Sequence, residues 1–152
     1  MNKHTPITPS SICDFHGPYA FLSNFYTVNI PYQGKTYPSV EHAFQAAKCV
    51  NESDKIRIQQ APTPGIAKRI GRRVSLIPHW DETRISVMET LLREKFKDPV
   101  LQNRLIKTAP ATLIEGNHWN DTFWGVCNGV GENHLGKLLM KIRNEYLGES
   151  LL

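Results

Sequence analysis

Apolar residues recur at helical spacing through most of the chain that follows Pro38. Near the carboxyl terminus, positions i, i+3, i+4, i+7 and i+11 form one face of a predicted helix, namely Leu135, Leu138, Leu139, Ile142 and Tyr146. The same spacing, bounded by capping residues, prolines and a glycine, predicts earlier helices. They run over 40–50, 54–60 and 64–71, then from a cap at Asp81 to Phe96, and from a cap at Asp98 to Lys107. The pattern therefore predicts a mainly helical protein.

Strand signals are short and lie outside the helical segments. Val28, Ile30 and Tyr32 alternate with Asn29 and Pro31 before a turn at 33–34, which predicts a hairpin that the proline weakens. Residues 12–15 and 112–115 are further strand candidates, and a loop rich in Gly, Asn and Trp spans 116–131. We predict a mainly α (α+β) fold: a compact single domain over 12–148 with a small N-terminal β element, preceded by a flexible tail over 1–11.

Composition narrows the class of protein. The 152 residues are 40% hydrophobic and 21% charged, as in ordinary globular domains. No apolar run approaches the roughly 18 residues that span a bilayer, so no membrane association is expected. Three widely spaced cysteines favour reduced thiols and a cytoplasmic location. The net charge of +4 and the pI near 9.0 are compatible with phosphate-bearing ligands or nucleic acid.

The helix after Ser39 carries a polar stripe. Glu41, Gln45 and Lys48 lie at i, i+4 and i+7, so their side chains share one face. Such stripes commonly face solvent, and an acid in the first turn also complements the helix dipole. The functional alternative is a cleft wall that carries an acid–base carboxylate and an amine. Spacing alone leaves both interpretations open.

Tryptophans mark two further candidate positions. Trp119, Asp121 and Trp124 lie in the Gly-rich loop, where large aromatic rings either fill the core or stack on a planar ligand. Trp80 lies at a predicted helix start, and the same two interpretations apply to it.

Two arginines and the six histidines are further residues whose chemistry bears on function. Arg72 and Arg143 are candidates for bidentate phosphate contacts, although such residues are more often surface charge. The run Asn128-Gly129-Val130-Gly131 matches no established nucleotide-binding motif. The histidines show no spacing typical of metal ligands. We therefore expect neither a metal nor another cofactor.

Several motifs together resemble the NADAR (YbiA-like) family. They are YAFLSNF at 19–25, YPSVEHAFQAAK at 37–48, WNDTFWG at 119–125 and GENHLGKLLM at 131–140. The similarity runs from about Asp14 to Arg143, in the order that the family has. It implies a compact, mainly helical domain and an N-glycosidase activity on N-ribosyl bonds.

The resemblance also implies roles for individual residues. Glu41 matches the family's catalytic glutamate, and Trp80 and Asp121 match other active-site residues. The motifs also contain the candidate substrate contacts Asn24, Phe25, Trp119, Trp124 and Asn133, together with Lys48 as a candidate for catalysis.

Two substrate classes follow from the resemblance. The first is ADP-ribosylated guanine in DNA, with a DNA ADP-ribosyltransferase toxin as a candidate partner encoded nearby. The second is the ribosylamino-pyrimidine phosphates of riboflavin synthesis. We favour the first, because polyanions bind better to a basic surface. A non-catalytic module that binds ADP-ribose or NAD is an alternative of another class, although binding alone does not require two carboxylates.

Two mechanisms fit these residues. In the first, Glu41 and Asp121 form an acid–base pair and water attacks C1′. In the second, the sugar ring opens to an imine and Lys48 attacks C1′ to form a Schiff base, while Glu41 carries protons. In both, Trp80 and Trp124 stack on the base, and Arg72 and Arg143 bind phosphate.

Overall fold

A computed structural model describes the backbone over residues 9–150 and the side chains through residue 149. Residues 1–8 of the predicted flexible tail lie outside the described part of the chain.

Helices dominate the described residues, as predicted, and the fold class is confirmed. A 3-10 helix spans Gly17–Leu22. The α-helices are α1 (Val40–Ala47), α2 (Glu52–Gln59), α3 (Pro64–Gly71), α4 (Trp80–Lys95), α5 (Pro99–Ile106) and α6 (His134–Ser150).

Side-chain caps explain where three of these helices begin. Ser39 accepts a hydrogen bond from the backbone N–H of His42 at the start of α1. Thr63 and Asp98 cap α3 and α5 in the same manner, each followed by a proline in the first turn. These caps are the ones that the sequence predicts.

The structure differs from the predicted boundaries at α4, α1 and α2, and α2 begins two residues earlier than predicted. α4 begins at Trp80, and its N-cap is His79 in the left-handed region at φ 60°, so the predicted cap at Asp81 was wrong. Burial of the Trp80 ring places the first turn against the core, and Asp81 lies inside that turn.

α1 ends at Ala47 rather than near Val50, because the chain turns to pair Cys49 with Leu76.

Strands form three two-stranded sheets in the described residues. β1 (Ser11–Ile12) pairs in parallel with β4 (Thr112–Leu113), and β2 (Ile30–Tyr32) forms the predicted antiparallel hairpin with β3 (Lys35–Tyr37). β5 (Gly116–Asn117) pairs in parallel with β6 (Val126–Cys127). This last pair lies inside the segment predicted as loop, and it brings the start of that segment against residues 126–127.

α1 occupies the centre of the fold. It packs against α2, α3, α4 and the β2–β3 hairpin, while α6 packs against α4, α5 and β4. Every residue from Val40 to Ala46 is buried. The polar face of α1 is therefore enclosed by protein, and the solvated-face interpretation of its stripe does not hold for Glu41 or Gln45. No helix within residues 9–150 combines the length and the apolar character needed to cross a membrane.

Lys95 is a cation in the core. Its side chain is buried at the end of α4 and donates a hydrogen bond to the carbonyl oxygen of Ser23 at 2.8 Å. The ammonium also lies 5.6 Å from the ring centroid of Tyr26. No carboxylate in the described chain pairs with it, and burial lowers its pKa to about 7. Lys95 thus ties α4 to the segment 23–26.

We predict that this burial makes stability depend on pH. The unfolded chain binds the Lys95 proton up to about its ordinary pKa, whereas the folded protein releases it near pH 7. Stability therefore increases as pH rises above 7, because deprotonation relieves the cost of burying charge. Relative to Lys95→Met, the wild-type free energy of unfolding should rise by about 1 kcal/mol per pH unit between pH 7 and 9. Urea denaturation at several pH values measures this difference.

Lys107→Met is the matched control, because it removes an exposed cation at the end of α5. Its stability curve should run parallel to the wild-type curve. A parallel curve for Lys95→Met would contradict the prediction.

Candidate active site

A cavity of about 540 Å³ opens beside the first turn of α1. Its walls come from the segment 23–26, from α1 and α4, and from the loop that follows β4. Cavities that bind small ligands commonly have volumes of about 300–1,000 Å³. Three carboxyl groups line this one, from Glu41, Glu115 and Asp121, together with the ammonium-bearing side chain of Lys68.

Glu41 is held in place from both ends. Its backbone N–H donates to the carbonyl oxygen of Asn24 at 3.0 Å, and its Oε1 accepts from the Nε2 of Gln45 at 2.8 Å. Burial raises the pKa of Glu41, and the Gln45 hydrogen bond and the charges of Lys68 and Lys48 act in the opposite direction. A carboxyl group with a raised pKa is a candidate for taking up and releasing protons during catalysis.

Gly71 makes room for Gln45. A Cβ atom at position 71 would lie 1.9 Å from Gln45 Oε1, so any larger residue would displace the amide. The last residue of α3 thus determines whether Gln45 can reach Glu41. The sequence suggested Gly71 only as a helix stop.

Glu115 is the carboxyl group that sequence analysis missed as a site residue. It follows β4, and its Oε2 accepts from Asn117 Nδ2 at 3.1 Å. Burial raises the pKa of Glu115 to about 7, and the negative charge of Asp121 adds to this effect. One signal was available, since Glu115 ends a predicted strand directly before the loop already identified as a candidate site.

Asp121 is largely engaged by its own loop. Its Oδ1 accepts from the backbone N–H groups of Phe123 at 3.2 Å and Trp124 at 2.9 Å. Asn117 spans the same loop, because it donates to the carbonyl oxygen of Asp121 and accepts from its N–H. The preceding Asn120 has a φ of 65°, a conformation that asparagine tolerates better than most residues. Asp121 therefore orders the loop and presents negative charge to the cavity.

Aromatic rings form the apolar part of the cavity wall. Phe25 and Trp119 line it while remaining 44% and 48% exposed, so their faces are accessible to a planar ligand. Trp124 lies deeper, with its ring centroid 5.4 Å from that of Phe44 in an edge-on contact. The structure brings these predicted contacts, with Asn24, Glu41 and Asp121, around one space.

Trp80 and Asn133 lie behind the lining. Trp80 is buried, with its ring centroid 5.1 Å from that of Phe44, which itself faces the cavity. Asn133 is also buried, and its Oδ1 accepts from the Glu115 N–H at 3.0 Å while its Nδ2 donates to the Leu113 carbonyl oxygen at 3.0 Å. Both support cavity residues, and neither side chain is part of the lining.

The predicted cations do not line the cavity. Lys48 caps the end of α1, where burial lowers its pKa and the charge of Glu41 acts on it. Arg72 is exposed at the end of α3. Arg143 is buried and donates to Thr108 Oγ1 at 3.1 Å and to the Ala111 carbonyl oxygen at 2.7 Å, which are contacts of a structural residue. Lys68, whose position carried no signal in the sequence, is the cation in the lining.

Metal-ligating side chains do not cluster within the described residues. No group of three or more His, Cys, Asp or Glu side chains could hold a metal ion in this part of the chain.

Comparison with known proteins identifies relatives along nearly the whole chain. The NADAR domain model matches residues 13–147. The N-glycosidase YbiA of Escherichia coli is 40% identical over 131 residues, which are 84% of this chain and 81% of that protein. A riboflavin biosynthesis protein of Vibrio vulnificus is 34% identical over 131 residues, which are 84% of this chain and 35% of that protein.

A solved structure agrees with the fold. The NMR structure of the Escherichia coli protein YbiA matches with a TM-score of 0.82 and 35% sequence identity, covering 98% of this chain and 92% of that chain. The cavity described above thus lies within a domain of known type, and the resemblance read from the motifs is confirmed. The chain belongs to the NADAR family.

Proposed function

We propose that this protein is an N-glycosidase that hydrolyses an N-ribosyl bond. One observation carries the proposal: a ligand-sized cavity in which the carboxyl groups of Glu41 and Glu115, both with raised pKa, lie beside exposed aromatic rings. Cleavage of a bond between C1′ and nitrogen needs such groups to move protons, and the departing base needs a stacking surface. The relative from Escherichia coli is named an N-glycosidase, which supports the same reaction.

The substrate that we propose is ADP-ribose linked to guanine in DNA. Phe25 and Trp119 suit a nucleobase that has left its stack, since base–aromatic stacking contributes about 1–3 kcal/mol per base. Arg69, Arg72 and Arg73 are exposed on or next to α3, and none forms an ion pair with a described residue. We call these three arginines the α3 cations. A modified strand of this kind would come from a DNA ADP-ribosyltransferase, which is the partner we propose.

The α3 cations are electrostatically connected to the cavity. The charges of Arg72 and Glu41 both act on Lys48, so Arg72 lies near the end of α1. Lys68, on α3 itself, lines the cavity. A strand whose modified base enters the cavity could therefore place its neighbouring phosphates over α3.

Two hydrolytic routes are compatible with this cavity. In direct attack, a carboxyl group protonates the leaving nitrogen and water bonds to C1′ after losing a proton to a second carboxylate. In the Schiff-base route, the sugar ring opens to an imine, Lys48 bonds to C1′ as the bond from C1′ to the base nitrogen breaks, and water then releases the sugar from the lysine. The lowered pKa of Lys48 favours this route, and the position of Lys48 outside the cavity lining disfavours it. Borohydride added during turnover distinguishes them, because it traps a sugar on Lys48 only in the second route.

A second candidate function concerns small substrates. The Vibrio vulnificus relative is named a riboflavin biosynthesis protein, which favours ribosylamino-pyrimidine 5′-phosphates as the alternative. These compounds also join C1′ of a ribose to an exocyclic amine, so the same carboxyl groups would act on them.

We predict that the wild type releases ADP-ribose from an oligonucleotide carrying ADP-ribosylated guanine. Glu41→Gln should slow release by about 10²–10⁴-fold, because the amide cannot exchange protons. Glu82→Gln, at an exposed position of α4 outside the cavity lining, should match the wild type. Mass spectrometry of the oligonucleotide and of free ADP-ribose measures all three.

If the wild-type protein leaves the adduct intact, the proposal of a DNA substrate is wrong. The ribosylamino-pyrimidine phosphates are then the substrates to test. Failure on both substrates, with ADP-ribose binding kept in wild type and Glu41→Gln, would show a binding module instead.

We also predict that Arg72 contributes to binding of the DNA substrate. Arg72→Ala should raise KM for the oligonucleotide and reduce the slope of log KM against log salt by about 1, because one phosphate contact is lost. KM for ADP-ribosyl-guanosine should stay unchanged. Lys107→Ala, which removes an exposed cation from α5, should alter neither value. Equal salt slopes in Arg72→Ala and wild type would remove Arg72 from the DNA surface.

A further inference from the structure

Glu115 has surroundings that differ from those of the other two cavity carboxyl groups. Asp121 Oδ1 accepts hydrogen bonds from two backbone N–H groups, those of Phe123 and Trp124. Glu41 accepts from Gln45 and experiences the charges of two lysines. Glu115 accepts from one amide, that of Asn117. One lysine, Lys68, acts on Glu115, so this carboxyl group has fewer nearby cations than Glu41 and fewer hydrogen-bond donors than Asp121.

The fold holds the Glu115 backbone in a fixed position. Its N–H donates to Asn133 Oδ1 at 3.0 Å, and its carbonyl oxygen accepts from the Val126 N–H at 2.8 Å. Asn133 in turn donates to Leu113 at the end of β4. Both backbone groups of Glu115 are therefore satisfied, and the residue cannot shift without breaking bonds at β4 and β6.

Gly125 gives the Glu115 carboxyl group its space. A Cβ atom at position 125 would lie 1.8 Å from Glu115 Oε2 and 2.1 Å from the Glu115 carbonyl oxygen. Asn117 donates to the same Oε2, so that oxygen is fixed by an amide on one side and by the bare backbone of Gly125 on the other. No described residue donates to Oε1, which leaves this oxygen able to carry a proton toward a ligand.

We propose that Glu115 is the catalytic acid of this site, that Glu41 is its ionised partner, and that Asp121 is a positioning residue. The proposal rests on the N-glycosidase function given above. It replaces the pairing of Glu41 with Asp121 that the sequence suggests.

The Glu115 hydroxyl gives its proton to the leaving nitrogen as the C1′–N bond breaks and its electron pair moves to that nitrogen. A water oxygen bonds to C1′, and the Glu41 carboxylate takes the proton that this water loses. The products are the free amine of the base and a sugar with a hydroxyl group at C1′. Exchange with solvent returns one proton to Glu115 and removes one from Glu41.

The charges around Glu115 set the expected pH dependence. The titratable side chains that line the cavity with it are His16, Tyr26, Glu41, Lys68 and Asp121. Since burial and the Asp121 charge raise the pKa of Glu115 to about 7, the acid form declines above that pH. The wild-type kcat should therefore fall on the alkaline side with a midpoint near 7, while protonation of Glu41 causes the fall on the acidic side.

The test compares kcat, KM and pH profiles of the wild type with those of Glu115→Gln on whichever N-ribosyl substrate the wild type turns over. Glu115→Gln should lower kcat by about 10²–10⁴-fold with little change in KM. Its residual activity should lack the alkaline fall, which a merely structural defect would not remove. Thermal unfolding checks that the variant is folded, and Glu82→Gln serves as the matched control.

The variant Asp121→Asn distinguishes the positioning role of Asp121 from the catalytic role of Glu115. The amide keeps an oxygen acceptor for the N–H groups of Phe123 and Trp124, so the loop should hold and kcat should fall less than in Glu115→Gln. Loss of the Asp121 charge should move the alkaline midpoint to lower pH. His16→Asn should keep that midpoint, which would rule out the histidine as its source.

A readout independent of turnover is the titration of the Glu115 carboxyl carbon by ¹³C NMR, identified by its loss in Glu115→Gln. We expect a midpoint near 7, and a midpoint at the ordinary glutamate value would overturn the proposal. Wild-type kcat retained by Glu115→Gln would also overturn it while leaving the N-glycosidase function intact. Absence of wild-type turnover on every N-ribosyl substrate would instead overturn the function, and the catalytic role of Glu115 with it.

Discussion

Burial of the polar face of α1 is the constraint around which the site is arranged. A carboxyl group removed from water is costly unless it is hydrogen-bonded, paired or protonated. Glu41 meets this requirement through Gln45, which can approach because Gly71 carries no side chain. The helix that fills the centre of the fold is thus also the helix that brings Glu41 to the cavity.

The segment from β4 to α6 forms another wall of the cavity, and its polar groups also need hydrogen-bond partners. Asn117 donates to the Glu115 carboxyl group and to the backbone of Asp121, while Asn133 bonds to the backbone of Leu113 and Glu115. These bonds give backbone groups of this irregular segment their partners. The parallel pairing of β5 with β6 closes the loop at its base. A loop fixed in this way can hold Glu115, Trp119 and Asp121 in a constant geometry, as general acid–base chemistry requires.

Supporting residues explain part of the family resemblance in this chain. Trp80 lies in contact with Phe44 behind the cavity wall, and Asn133 anchors the backbone of Glu115. Lys95 attaches the segment 23–26 to α4 from inside the core. Residues of this kind shape the site without lining it, which the sequence alone does not reveal.

Local signals in the sequence determined most of the helices, three of their caps and the β2–β3 hairpin, because periodicity and capping act over only a few residues. The sequence also determined the family, and it predicted as site residues Glu41, Asp121 and Trp124, which lie in contiguous motifs and line the cavity. Only the tertiary structure decided that the α1 stripe faces a cavity, that Lys68 rather than Lys48 lines it, and that Arg143 is buried on Thr108. Only the tertiary structure, too, placed Glu115 in the same cavity as Glu41. Such placements depend on how elements far apart in the chain pack together, and no local pattern encodes that packing.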